Sequence, residues 1–182
     1  MNTVKFNPSQ PAPNSKRTRA YTPLTAELLR KHLHYSPSSG EFTRIHRAKG
    51  ANVGEIAGCK RPDGYIIISV CGRQYLAQRL AWLYETGDWP TLDMDHIDGV
   101  RDNNKLANLR HVSRSVNLQN LKSAKPNNMH SRLLGVVKNK QRWSARITTG
   151  GVGIHLGTFD TPELASDAYI NAKKELHSGY AP

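Results

Sequence analysis

Residues 132–159, RLLGVVKNKQRWSARITTGGVGIHLGTF, alternate in polarity and are broken by glycines at 135, 150, 151, 153 and 157. A period of two between glycine breaks is the signature of β-strands, because successive side chains on a strand point to opposite faces. Trp143, Ala145 and Ile147 therefore face one way, and Arg142, Ser144, Arg146 and Thr148 the other. The spacing predicts three short antiparallel strands. The segment that follows, TPELASDAYINAKKELHSG, switches to helical periodicity. Thr161 is its expected N-cap and Pro162 its first residue, with Leu164, Ala165, Ala168, Tyr169, Ala172 and Leu176 on the buried face and Gly179 closing it. A three-stranded sheet packed on one helix leaves one sheet face free, and that face is basic.

The rest of the chain divides by composition. Residues 1–20 carry three prolines and four basic residues with no acid, which predicts a disordered basic tail. LTAELLRKHLHY is expected to form a short helix capped by Thr25, with Leu28, Leu29 and Leu33 on one face and a turn at SPSSG. GYIIISVCGRQYLAQRLAWLYETGDWP predicts a strand over residues 65–71 and a turn at Gly72-Arg73. A helix follows, with Leu76, Leu80, Leu83 and Tyr84 inward and Gly87 as its stop. SRSVNLQNLKS is a helix with Ser113 or Ser115 as cap, and AKPNNMHS is a linker. The expected organisation is a tail at 1–20, an α/β region at 21–90, a polar motif at 91–125, a linker at 126–131 and the sheet-and-helix module at 132–182. The fold class is α+β.

Charge points to the partner. The net charge is +12, and from residue 103 to 159 there is no acid but ten Lys and Arg side chains. Such a run is the footprint of a polyanion, since each neutralised phosphate releases condensed counterions. Nucleic acid is the expected partner. No apolar run approaches the ~18 residues of a membrane span, and the N-terminal stretch resembles no signal peptide. No membrane association is expected, and the cytoplasm is the expected location. Cys59 and Cys71 form no CxxC pair and read as reduced, structural thiols.

The stretch MDHIDGVRDNNKLANLR crowds acids, amides and a histidine into a segment that cannot bury itself. Cutting a phosphodiester at neutral pH needs a nucleophile made from water, charge neutralisation at the phosphate and stabilisation of the leaving oxygen. One neutral histidine and one hard divalent ion on oxygen ligands can supply all three. Asp95 and His96 are adjacent, so they serve one site only if the strand bends, and the turn-prone Asp98-Gly99 makes such a bend possible.

DHIDGVRDNNKLANLRHVSRSVNLQN resembles the HNH nuclease motif of phage homing-type endonucleases, in which a β-hairpin and a helix clamp one metal ion. The resemblance implies a ββα-metal core preceded by a β-hairpin and helix region. It also implies Asp95 as first metal ligand, His96 as general base, Asn108 as the residue that ties the loop together, and Asn117 as second ligand, with Asn120 its competitor. Mg²⁺ is the implied ion, with Mn²⁺ able to replace it, and no small-molecule cofactor is implied. His111 has no ligand role in the pattern and reads as a loop or DNA-facing residue. The flanks resemble phage members of the same group, except that Gln78 stands where a histidine is expected before RLAW.

GVVKNKQRWSARI, HLGTFDTPELASDAY and the closing helix resemble the plant ethylene-response-factor (APETALA-type) DNA-binding domain. There the sheet enters the major groove, which implies Lys138, Lys140, Arg142, Ser144, Arg146 and His155 as the groove-facing residues. His155 departs from the large aromatic residue of the plant members. The joint expectation is a metal-dependent, site-specific DNA endonuclease of phage or mobile-element type, cutting as a monomer. The alternatives are a DNA-binding regulator with a decayed nuclease motif, and a structural RNA-binding protein.

Overall fold

The computed structural model describes residues 23–47, 50–122, 124 and 131–181. The expected basic tail, and the linker at 126–131 apart from Ser131, lie outside the described residues. The fold is mixed α/β with small antiparallel sheets. The chain forms two compact units. One runs up to His96 and takes in Val100–His111; the other comprises Ile97–Gly99 and the chain from Val112 onward. Among the described residues no helix is long and apolar enough to cross a membrane.

The first unit opens with α1 (Ala26–His32), where Thr25 Oγ1 accepts from Leu28 N at 3.2 Å. Leu33 does not continue this helix, as its spacing suggested. It starts β1 (Leu33–Ser36), which pairs antiparallel with β2 (Glu41–Arg44) across the SPSSG turn. The strand wins because it buries Leu33, Tyr35 and Phe42 together, each 1% exposed. Next come β3 (Cys59–Lys60), β4 (Ile66–Val70) and β5 (Arg73–Leu76), an antiparallel sheet in that order, and then α2 (Ala77–Thr86) with Gly87 as its left-handed stop. The β4–β5 turn is Cys71-Gly72 rather than Gly72-Arg73, because Val70 pairs with Arg73. A two-residue hairpin of this hand needs positive φ at both central positions, and Cys71 (51°) and Gly72 (75°) both comply. Both cysteines are free and exposed, so neither packs in the core as a structural thiol. Leu29, Ile68, Leu80 and Leu83 close the core under α1 and α2. β6 (Asp93–His96) then pairs with β7 (Leu109–Val112), joined by a loop that ends in a 3-10 turn, Leu106–Asn108.

The second unit holds α3 (Arg114–Gln119), capped by Ser113, and a sheet of β8 (Val136–Asn139), β9 (Arg142–Thr149) and β10 (Val152–Phe159) in the order β10-β9-β8. α4 (Pro162–Leu176) packs on this sheet, with Thr161 Oγ1 accepting from Leu164 N. The core is small: Val136, Ala145, Ile147 and Ala165. Gly135 (φ +68°) must be glycine, since a Cβ there would lie 2.0 Å from the Tyr169 ring.

Two details of α4 differ from the periodicity. Leu164 and Leu176 are exposed, whereas Lys173 is buried, because the sheet covers only a narrow stripe of the helix and Lys173 Nζ reaches the Leu121 carbonyl at 2.6 Å. The helix also stops before Gly179. His177 caps it, in ordinary extended geometry, and its Nε2 lies 2.9 Å from the Thr148 carbonyl.

Candidate active site

Asp95 and His96 lie at the end of β6, and both are buried, at 8% and 4% exposure. Burying a carboxylate is costly unless a partner hydrogen-bonds it. Arg110 on the neighbouring β7 does this, its Nε and Nη2 donating to Asp95 Oδ2 at 2.8 and 2.7 Å. The pair fixes the carboxylate's orientation.

His96 is oriented by a residue that the sequence did not single out. Asn104, 2% exposed, places Oδ1 at 3.1 Å from His96 Nε2, while its Nδ2 donates to the Asp102 carbonyl. Only an amide nitrogen can donate to that carbonyl, so the amide oxygen must face the imidazole. His96 then carries its proton on Nε2, and the basic lone pair is on Nδ1. The Tyr65 ring packs 6.0 Å from the imidazole. Asn104 is itself braced from the N-terminal hairpin: Tyr35 Oη donates to its carbonyl at 2.7 Å, and burial pushes the Tyr35 phenol far above its usual range.

Asn108 Nδ2 donates to the Asn103 carbonyl at 2.8 Å and so closes the loop between β6 and β7. At that loop's outer edge Lys60 hydrogen-bonds Asp102 at 2.5 Å and holds its carboxyl below the usual carboxylate range. His111 is not a loop residue. It lies in β7, where its Nε2 accepts from Leu92 N at 2.7 Å and its ring packs against Trp82. Gln78 is buried on α2, with Oε1 lacking a donor among the described residues.

Asn117 and Asn120 belong to the second unit, on and just after α3. Asn117 is half-buried. Asn120 is buried, its Nδ2 donating to the Ile97 carbonyl at 3.2 Å and its Oδ1 accepting from Ala181 N at 3.3 Å. Among the described residues no three His, Cys, Asp or Glu side chains gather into a group able to hold a metal ion.

On the sheet of the second unit, Arg142, Ser144 and Arg146 share the face away from α4, and His155 joins them because it pairs directly with Arg146. Arg146 lies flat across β10: a Cβ at Gly153 would come within 2.6 Å of its guanidinium. Arg142 is anchored by an ion pair to Asp160 at 2.8 Å and a bond to the Thr158 carbonyl. Lys140 sits in the β8–β9 turn with φ 54°. Lys138 does not belong to this face. It pairs with Trp143, so the period of two puts it on the side of Val136, with its ammonium over the Trp143 ring. Val137 and Asn139 are the β8 residues that share the face of Ser144 and Arg142.

Residues 75–119, from β5 to the end of α3, match a family model described as HNH endonuclease. No curated protein and no solved structure matches the chain. The matched segment supports a nuclease acting on DNA, and it contains Asp95, His96, Asn104, Asn108, Arg110 and Asn117.

Proposed function

From that HNH endonuclease segment we propose that the chain is a metal-dependent, site-specific DNA endonuclease of phage or mobile-element type, working as a monomer. The observation that carries the reading is the Asp95–His96 pair: a buried carboxylate and a buried imidazole on consecutive residues at the end of β6, the first held by Arg110 and the second by Asn104. His96 Nδ1 takes a proton from water. The hydroxide oxygen bonds to phosphorus as the bond to the 3′ oxygen breaks; that oxygen takes a proton from solvent and His96 returns its own to bulk water, leaving 5′-phosphate and 3′-hydroxyl ends. Asp95 and Asn117 are hard oxygen donors in small number, which suits Mg²⁺ or Mn²⁺, ions that take one or two carboxylates and keep several waters. Held there, the ion would supply charge neutralisation at the phosphate and stabilise the leaving oxygen. Asn108 keeps the loop closed around the site.

The second unit supplies the recognition. Its sheet-and-helix topology, with Arg142, Ser144, Arg146 and His155 on one face and Lys140 at the rim, suits an APETALA-type domain laid in the major groove. Arginine can grip guanine edges or phosphate there. Tethering that reader to a weakly binding cutter raises the cutter's effective concentration at the target.

One observation favours a second reading, a DNA-binding regulator that no longer cuts. Gln78 replaces a ring that could bond at both ends with a buried amide oxygen lacking a donor. Supercoiled plasmid separates the two. The nuclease converts it to nicked circles with Mg²⁺ or Mn²⁺ and not with EDTA. A protein that shifts duplex DNA yet leaves the plasmid supercoiled with every divalent ion is the regulator.

A further inference from the structure

α3 has six residues, too few to be stable alone. What holds it follows α4. Gly179 N donates to Gln119 Oε1 at 2.9 Å, in a space so tight that a Cβ there would lie 2.3 Å from the Val116 carbonyl oxygen. Ala181 N reaches Asn120 Oδ1, and Lys122 Nζ returns a bond to the Ala181 carbonyl. The buried Lys173 donates to the Leu121 carbonyl, and its ammonium and that of Lys122 lie 5.1 and 5.4 Å from the Tyr180 ring centroid. Through Asn120 Nδ2 the same network reaches Ile97, the residue after the general base.

We propose that residues 177–181 form a clasp that sets the helix bearing Asn117, and that Asn120 is a positioning residue and not a metal ligand. Both ends of the Asn120 amide are engaged by backbone, and the residue is 4% exposed, so its oxygen is turned to Ala181. The end of the recognition module is thereby a working part of the cutting machinery. This deepens the nuclease reading and rests on it.

Asn120→Asp and Ala181→Pro, each made in the full chain, provide the test. Aspartate keeps the acceptor and loses the donor to Ile97; proline removes the Ala181 N–H and fixes φ there. Both variants are expected to need ~10-fold or more Mg²⁺ for half-maximal nicking, the usual size of an outer-sphere effect, with duplex affinity within about twofold of wild type. Amide exchange at residues 117–120 is expected to accelerate at least tenfold, a readout that does not depend on cutting. Were Asn120 a ligand, the stronger carboxylate in Asn120→Asp would lower the Mg²⁺ requirement, and that outcome overturns the assignment. Unchanged exchange in both variants overturns the clasp. A wild type that never nicks, yet shows the accelerated exchange in both variants, leaves the clasp standing while the nuclease reading fails.

An independent observation lies in the first unit. His32, Arg44, His46 and Arg47 line a cleft beside the Cys71-Gly72 turn, and no acid is among its described lining residues. Arg44 Nε is buried there without an acceptor among the described residues. A buried guanidinium N–H lacking an acceptor is costly, and an anionic oxygen removes the cost. The geometry points to a phosphate of the DNA backbone in this cleft, separate from the reader's sheet. Arg44→Gln and Arg47→Ala, each in the His96→Ala background so that the duplex stays intact, test it through the salt dependence of binding. One lost phosphate contact is expected to flatten the slope of log K against log salt by ~0.9. Unchanged slopes in both variants overturn the assignment, even if the cleft still takes inorganic phosphate.

Discussion

The His96→Ala protein is expected to bind duplex DNA as tightly as the wild type and to nick it ~10²–10⁴-fold more slowly, the range lost when a positioned general base is removed. His96 is buried at the end of β6 and does not lie on the reader's sheet, so affinity and cutting separate in this variant. The pair of measurements is a band shift at fixed salt and a time course of nicking with Mg²⁺. Equal nicking rates for the two proteins would remove His96 from the chemistry.

The second large effect is expected far from Asp95 in sequence. Gly40 turns the β1–β2 hairpin with φ +80°, and a Cβ there would meet Lys105 N at 2.4 Å and the Asn104 carbonyl carbon at 2.5 Å. The backbone cannot step aside, because Gly40 N bonds the Ser36 carbonyl, Leu106 N bonds that of Pro37, and Tyr35 holds Asn104. Gly40→Ala therefore combines a left-handed residue, costing roughly 1–2 kcal/mol, with an overlap costing about 1–3 kcal/mol. Moving Asn104 also releases the imidazole it orients. The variant is expected to melt lower and to nick more slowly even at a temperature where it is fully folded. Wild-type melting and wild-type nicking together would show that the hairpin does not brace the site.

The caps at Thr25 and Thr161 were readable, and that of α3 was narrowed to Ser113 or Ser115, of which Ser113 caps it, because a cap is a local event, settled within three residues. The alternation of β9 was readable for the same reason. Local patterns failed where a distant partner decided. Leu33 fits a helix by spacing and a strand by burial, and the second is visible only once Phe42 lies against Tyr35. Lys173 looks like a surface lysine until the Leu121 carbonyl, 52 residues away, is in place. At the candidate site, the DHIDG…NLR pattern marked the segment that matches the HNH endonuclease family. It could not say which of the neighbouring asparagines faces His96. Asn103 offers its carbonyl to Asn108, and Asn104 turns its side chain to the ring. Lys138 was misplaced by one step of the strand period, since the β8–β9 register is fixed by a turn whose length the polarity pattern does not reveal.

The bare strand at Gly153 has a thermodynamic meaning. A surface arginine ordinarily samples many rotamers, worth roughly 2 kcal/mol of entropy that any partner must remove on binding. Arg146, laid flat on a glycine with no side chain to lift it, has surrendered much of that freedom during folding. On the proposed reading, DNA would meet it as a fixed plate and not as a swinging arm.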